Sequence, residues 1–158
     1  MPVANQEFRR ALSCFASGVT VVTTRDRAGK PFGITISAFS SLSLDPPLIL
    51  ICVEKTTVSH RALTEAERFV VNILEETQLH VSERFASPAD PKFLSDELAG
   101  EEGALPMLPN ALAYLECSIT NVYEGGDHSI FVGEVLRTIV NGGNPLIYFH
   151  GTYRELKN

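Results

Sequence analysis

The sequence lacks the features that define several large classes of protein. Its 158 residues include no tryptophan and only three cysteines, and 13 Lys and Arg stand against 19 Asp and Glu. This acidic balance argues against a protein whose main task is to neutralise the phosphates of a nucleic acid. No apolar run approaches the ~20 residues that a membrane-spanning helix needs, and the first residues lack the basic-then-apolar pattern of a secretory signal. We therefore expect a soluble, cytoplasmic protein that binds neither nucleic acid nor membrane, with one domain over residues 1–158.

Residue clusters that would hold metals or nucleotides in familiar ways are also missing. Cys14, Cys52 and Cys117 are far apart and lie beside apolar residues, so neither a disulfide framework nor a Cys-x-x-Cys pair is predicted. The four histidines are equally scattered, and no metal site is predicted. No Gly-x-Gly-x-x-Gly run and no Walker-type loop occurs, so a nucleotide would have to be held by other donors.

The order of elements favours a mainly β protein. Phe8, Leu12 and Phe15 form an apolar stripe that predicts an N-terminal helix capped by Asn5, and shorter helices are predicted at 57–67 and 77–85. About seven strand candidates are joined mostly by turns, which favours a closed or nearly closed antiparallel barrel. These candidates are 19–24, 33–43, 47–53, 69–74, 114–123, 130–140 and 145–149.

The strand candidate at 33–43 carries an unusual number of hydroxyl groups. Read with a period of two, one face presents Thr35, Ser37, Phe39, Ser41 and Ser43. Hydroxyls around one aromatic ring suit a flat ligand with a polar edge, because each can donate or accept a hydrogen bond. An ordinary solvent-facing strand remains the alternative.

Other candidate donors lie after the apolar strand at 47–53. Lys55, Thr56, Thr57 and Ser59 precede a predicted helix whose free amides attract anions, and Arg84 could add a charge-assisted contact. Helix capping and a solvated charge explain these residues equally well. The long segment 87–110 holds four prolines and is either a lid or a solvated connection.

Two further polar residues interrupt apolar surroundings. His128 follows the hairpin signal Gly-Gly-Asp and either orients a substrate or bonds its own backbone. Asn72 lies inside the apolar run FVVNIL and must find partners if it is buried.

Several segments, in the same order along the chain, resemble the short-chain flavin reductases. The stretch 8–63 includes GITISAFSSLSL and LILICVEKTTVSHRAL, and it is followed by RFVVNIL, RFAS, ALAYLEC, GGDHSIFVGEV and PLIYFHGTYREL. The resemblance implies an antiparallel, Greek-key-like split β-barrel with a few short helices, the FMN-binding split barrel. It also implies a homodimer with flavin in a groove near the subunit interface.

The same resemblance implies an NAD(P)H-dependent flavin reductase. Such an enzyme transfers hydride from NAD(P)H to FMN or FAD and supplies diffusible reduced flavin to a partner monooxygenase. Two other functions of this barrel stay open, a non-catalytic flavin- or haem-binding module and an oxidase like the pyridoxamine phosphate oxidases. The sequence does not settle FMN against FAD or NADH against NADPH.

The family's functional positions map onto two groups of residues. His128 and Tyr153 are implied on the nicotinamide side, where His128 would position the substrate. Ser37 stands where many relatives carry Asn, which bears on flavin affinity and preference. The flavin contacts implied by the resemblance are Thr35, Ser37, Ala38, Phe39, Ser40, Ser41, Cys52, Val53, Lys55, Ser59, Arg84 and Phe85.

Overall fold

Antiparallel strands make up most of the protein, a computed structural model of which describes residues 1–98 and 103–157. The helices are α1 (Asn5–Leu12), α2 (Val58–Glu65) and α3 (Leu79–Ala86), and short 3₁₀ turns cover Glu76–Gln78 and Ser95–Leu98. The strands are β1 (Ser17–Gly18), β2 (Thr20–Arg25), β3 (Pro31–Ile36), β4 (Phe39–Leu44), β5 (Pro47–Glu54), β6 (Arg68–Ile73), β7 (Ala113–Gly125), β8 (His128–Val140), β9 (Ile147–Phe149) and β10 (Thr152–Arg154).

The strands form one large and one small sheet. The large sheet has the order β3-β2-β6-β7-β8-β5-β4 and the small one β1-β9-β10, with antiparallel neighbours throughout. Ile51, Phe69 and Phe131 are fully buried at the centre of the main core. β7 and β8 form a hairpin of 13-residue strands, in which Gly125 pairs with His128, so the hairpin predicted from Gly-Gly-Asp is confirmed.

The predicted single strand at 33–43 is wrong. β3 ends at Ile36 and pairs with β2, whereas β4 begins at Phe39 and pairs with β5. Between them the amide of Phe39 donates to the carbonyl of Ser37 (2.9 Å), and the amide of Cys52 donates to that of Ala38 (3.0 Å). The chain therefore passes from one edge of the large sheet to the other at Ser37 and Ala38, and the proposed continuous row of hydroxyls is interrupted there.

The helices agree with the sequence predictions only in part. α1 begins after Ala4 without a side-chain cap, so the prediction of an Asn5 cap is wrong. Phe8 in α1 is 52% exposed, and Phe15, which the sequence placed on the same stripe, lies beyond the end of α1 and is 80% exposed. In α3, Phe85 is fully buried, whereas Leu79 is 38% exposed.

The Pro-rich segment is tied to the barrel at the residues that are described. The amide of Leu108 donates to Oδ1 of Asn72 (2.9 Å), and Tyr114 donates its hydroxyl to the carbonyl of Leu108 (2.6 Å). Nearer the N-terminal end of the same segment, Glu97 is buried and forms an ion pair with Arg84 of α3. Within the described ranges, no helix is both long enough and apolar enough to cross a membrane.

Candidate functional site

Ser37 is a lining residue of three different cavities. The largest, of about 730 Å³, lies between α1, the segment after β3 and the β9–β10 hairpin. A second, of about 200 Å³, reaches His128, and a third, of about 190 Å³, reaches Tyr153. Ala38 and Cys52 also line both the first and the second. The interruption between β3 and β4 thus lies at the junction of a branched cleft.

The largest cavity has the composition of a ligand site. Its volume falls within the ~300–1,000 Å³ that small-molecule sites occupy. Aromatic and aliphatic side chains supply most of its wall, and hydroxyl, guanidinium and imidazole groups stand among them. Such a surface fits a flat ring system with apolar faces and a polar edge. The apolar lining residues are Leu12, Phe15, Ala38, Phe39, Leu50, Tyr148 and Phe149, and the polar ones include Arg9, Ser13, Ser17, Ser37, Ser40 and His150.

His128 lines the second cavity. It pairs with Glu54 across β5 and β8, and its Nδ1 lies 2.7 Å from a carboxylate oxygen of Asp127. The hydrogen bond and the charge of His128 hold the pKa of Asp127 below its usual value. Because Nδ1 is engaged by the carboxylate, Nε2 is the ring nitrogen that can reach a ligand in the cavity.

Lys55 stabilises the hairpin beside His128. Its ammonium pairs with Glu124 and donates to the carbonyl of Gly126 (2.7 Å). The hydrogen bond and charge of Lys55 lower the pKa of Glu124. Lys55 therefore holds the turn that carries His128, and a phosphate contact from Lys55 would require it to exchange these partners.

Tyr153 lines the third cavity, where two side-chain contacts hold it in place. Its hydroxyl lies 2.8 Å from Oγ of Ser82, whose carbonyl accepts a hydrogen bond from Thr35 (2.6 Å). The ring of Tyr153 also makes an edge-to-face contact with Tyr148, with centroids 5.4 Å apart. These contacts connect β10, α3 and β3 around the cleft.

The structure brings together most of the residues named from the sequence. Thr35, Ser37, Ala38, Phe39, Ser40, Cys52, Val53, His128 and Tyr153 line at least one of the three cavities. Burial raises the pKa of the Cys52 thiol. Among the described residues, no three His, Cys, Asp or Glu side chains are close enough together to hold a metal ion.

The remaining named residues lie outside the three cavities. Phe85 is fully buried in the core, and Ser59 is 3% exposed and donates to the carbonyl of Gly33 (3.2 Å). Neither presents side-chain surface to a ligand. Arg84 is paired with Glu97, and Ser41 is an exposed β4 residue outside the three cavities. A flavin contact stays a prediction for all five of these residues, Phe85, Ser59, Arg84, Ser41 and Lys55.

Sequence reasoning missed the wall of the large cavity opposite Ser37. Phe15, Tyr148 and Phe149 contribute their side chains to it, and His150 lies at the adjoining turn with a positive φ of 52°. The alternation of PLIYF identified a strand, but nothing local indicated that its side chains face a ligand cavity. Only the pairing of β9 with β1, which aligns Tyr148 with Ser17, brings them there.

Comparison with known proteins identifies the fold and the family. The family model for the flavin reductase like domain matches residues 12–157. Two proteins of Rhizobium meliloti, one of them the reductase subunit of stachydrine N-demethylase, are 44% and 42% identical over 146 and 145 residues. Each match covers 92% of this chain, but the chain spans only 47% and 63% of the two relatives' lengths.

A third relative matches over more of its length. The reductase component of the 4-nitrophenol 4-monooxygenase/4-nitrocatechol 2-monooxygenase of Rhodococcus opacus is 41% identical over 152 residues, which is 96% of this chain and 81% of the relative. The solved NADH:FAD oxidoreductase of Streptomyces globisporus, in complex with NAD and FAD fragments, superposes with a TM-score of 0.87 at 36% identity. That match covers 99% of this chain and 98% of the other. The predicted antiparallel split β-barrel is confirmed, and the chain belongs to the flavin reductase like domain family.

Proposed function

We propose that the protein is an NAD(P)H:flavin oxidoreductase that reduces FMN or FAD and supplies the reduced flavin to a monooxygenase. The observation that carries this proposal is the junction at Ser37, where the large apolar cavity meets the cavity of His128. A flavin ring in the first and a nicotinamide in the second would touch at that point. The names of relatives agree, since they include reductase components of monooxygenases and an NADH-dependent FAD reductase.

The residues around the junction have a positioning role in this reaction. Bound flavin supplies the N5 atom that accepts the hydride from nicotinamide C4. Phe39 and Leu50 offer apolar surface to the ring faces, while the hydroxyls of Ser37 and Ser40 are exposed at its polar edge. Hydrogen-bond donors fixed at that edge stabilise the negative charge that develops on the reduced ring. Holding the two rings in contact removes most of the entropic cost of their encounter.

His128 is the residue that we assign to the nicotinamide side. With Nδ1 held by Asp127, the ring has a defined orientation, and Nε2 is directed to donate to or accept from the carboxamide. Tyr153 completes this side through its contacts with Ser82 and Tyr148, which keep the third cavity open. Neither residue needs to exchange a proton with substrate, because the hydride passes directly between the two bound nucleotides.

A second copy of the chain is proposed to cover α1. Phe8 and Leu12 of α1 are 52% and 56% exposed, and Phe15 just beyond α1 is 80% exposed. Leu136 and Val140 of β8 are 54% and 77% exposed. Burial of such groups in a homodimer would remove a large apolar area from water. Because Leu12 and Phe15 also line the large cavity, the dimer would close the flavin groove. Phe8→Asp should yield monomers in analytical ultracentrifugation, and an unchanged dimer would contradict this interface.

The reduced flavin must leave the protein to reach an oxygenase. We therefore expect micromolar flavin affinity, and protein that stays yellow through extensive dialysis would contradict this expectation. A cytoplasmic location is proposed with it, since the reaction needs a supply of NAD(P)H.

The assay that tests the function follows loss of NADH absorbance with free FMN or FAD. Turnover with at least one flavin supports the proposal, and absence of turnover with both flavins and with both NADH and NADPH would refute it. His128→Ala should raise the KM for the nicotinamide nucleotide and leave the Kd for flavin unchanged. His80→Ala, at an exposed position of α3, serves as the matched control. Unchanged kinetics in His128→Ala would mean that this histidine only supports the turn.

A further inference from the structure

A second histidine, His60 of α2, contacts the strand that carries His128. Its Nε2 lies 2.9 Å from Oγ of Ser129, which is 3% exposed. The imidazole ring also makes an edge-to-face contact with the buried ring of Phe131, with centroids 5.6 Å apart. Successive side chains of a strand point to opposite faces, so Ser129 faces His60 and the core while His128 faces the second cavity.

The hydroxyl of Ser129 depends on His60 for its hydrogen bond. The backbone of Ser129 pairs with Val53 of β5 and Glu124 of β7, so this residue is fixed in the middle of three strands. Among the described residues, His60 is the hydrogen-bond partner of its side chain. A buried hydroxyl without a partner costs free energy, and the contact therefore fixes the distance between α2 and the first residues of β8.

His60 is also attached to a residue of the cavity wall. Its amide donates to Oγ1 of Thr57 (3.1 Å), the cap of α2, and the Thr57 hydroxyl donates to the carbonyl of Glu54 (2.9 Å). Thr57 and His128 both line the second cavity. His60 thus connects two lining residues, Thr57 through its backbone and His128 through Ser129.

The turn that precedes His128 has its own attachments. The amide of Lys55 donates to the carbonyl of Asp127 (3.0 Å), and the ammonium of Lys55 donates to the carbonyl of Gly126 (2.7 Å). These bonds fix the chain on the N-terminal side of His128. The bond between His60 and Ser129 fixes it on the C-terminal side, and this second attachment comes from α2.

We propose that His60 is a positioning residue for the nicotinamide nucleotide. It acts through Ser129 and holds His128 at the distance from Thr57 and Ser37 that the nicotinamide requires. His60 itself lies outside the three cavities and touches neither nucleotide. A misplacement of about 1 Å caused by a change remote from the chemistry is enough to reduce turnover. The inference rests on the proposed function, since it requires a hydride donor in the second cavity.

Steady-state kinetics of three variants test this inference, with saturating flavin and the nicotinamide nucleotide that the unmodified protein oxidises faster. His60→Leu keeps an apolar contact with Phe131 but loses the hydrogen bond. It should raise the KM for the nucleotide about three- to tenfold, as the loss of one hydrogen bond would, and leave the Kd for flavin unchanged. Ser129→Ala should raise this KM by a similar factor. His60→Gln should keep the KM of the unmodified protein, because its amide can still bond the hydroxyl of Ser129.

A matched control comes from the same helix. Thr64 is exposed on α2, and its hydroxyl donates to the carbonyl of His60 (2.9 Å) rather than to β8. Thr64→Ala should therefore leave the KM unchanged. An equal rise of the KM in Thr64→Ala and His60→Leu would overturn the proposal, because any disturbance of α2 would then have the same effect.

A double variant separates positioning from packing. His60→Leu added to His128→Ala should raise the KM no further, because the effect of His60 passes through His128. Factors that multiply in the double variant would overturn the proposal, and so would an unchanged KM in both His60→Leu and Ser129→Ala. A fall in Tm with an equal rise in the Kd for flavin would assign His60 to packing of the barrel and would overturn it too.

Failure of the proposed function gives a different result. It abolishes oxidation of NADH and NADPH by the unmodified protein with every flavin, and the inference falls with it. Failure of this inference alone leaves that oxidation intact and changes the pattern of KM values among the variants.

Discussion

Replacement of Asn72 by alanine should destabilise the barrel strongly, although Asn72 lies outside the three cavities of the cleft. The side chain is fully buried, and its Nδ2 donates to the carbonyl of Val21 (2.9 Å) and to Oγ1 of Thr23 (3.1 Å). Its Oδ1 accepts from the amide of Leu108 (2.9 Å), itself fully buried. An unsatisfied buried amide costs about 1–3 kcal/mol, and each lost donor bond about 0.5–1.5 kcal/mol. The free energy of unfolding should therefore fall by roughly 2–6 kcal/mol.

Thermal unfolding at one fixed protein concentration measures this effect. For a domain of this size, each kcal/mol shifts Tm by about 2–4 °C, so a fall of roughly 5–20 °C is expected for Asn72→Ala. Asn121→Ala, at an exposed position of β7, is the matched control and should change Tm by about 2 °C or less. Equal melting of the two variants would refute the argument that Asn72 attaches the Pro-rich segment to the sheet.

Three smaller experiments test other contacts. Gly133→Ala should lower the free energy of unfolding by about 1–3 kcal/mol, because its Cβ would lie 2.7 Å from a buried phenylalanine ring, whereas Gly18→Ala meets nothing within 4 Å; chemical denaturation compares them. Burial raises the pKa of Cys117 to about 12, so a thiol reagent at neutral pH should label exposed Cys14 and leave Cys117 unmodified, and stability from the protonated Cys117 thiol should persist below about pH 9 and decline toward pH 12. Glu97→Gln should lower Tm by several degrees, because it leaves a partly buried arginine without its anion, and an unchanged Tm would contradict that.

The parts of the fold that were predictable are those specified by local sequence. The β-branched run predicted as a strand at 19–24 forms most of β2 (Thr20–Arg25), and the Gly-Gly-Asp turn forms the β7–β8 hairpin, because each depends on near neighbours in the chain. The sequence also indicated that Asn72 needs hydrogen-bond partners if it is buried, and the structure shows those partners. The partners themselves, 36 and 51 positions away, were not predictable from any local pattern.

The centre of the site was the least predictable part of the chain. The stretch from Gly33 to Ser43 alternates well enough to predict one strand, yet the structure divides it at Ser37 and Ala38. The division follows from pairing, since the two halves bond to β2 and β5 at opposite sides of the sheet. Long-range pairing therefore overrides the local period at the very position where the three cavities meet.

The predicted phosphate contacts stay predictions, because residue type alone does not distinguish them from helix caps. Serine and threonine before a helix serve equally well as caps and as phosphate donors, so residue type does not separate the two roles. In the structure Thr57 accepts from the amide of His60 (3.1 Å), and Ser59 donates to the carbonyl of Gly33. Their side-chain hydroxyls are thus engaged within the protein, so a phosphate contact from either residue would require an exchange of hydrogen-bond partners.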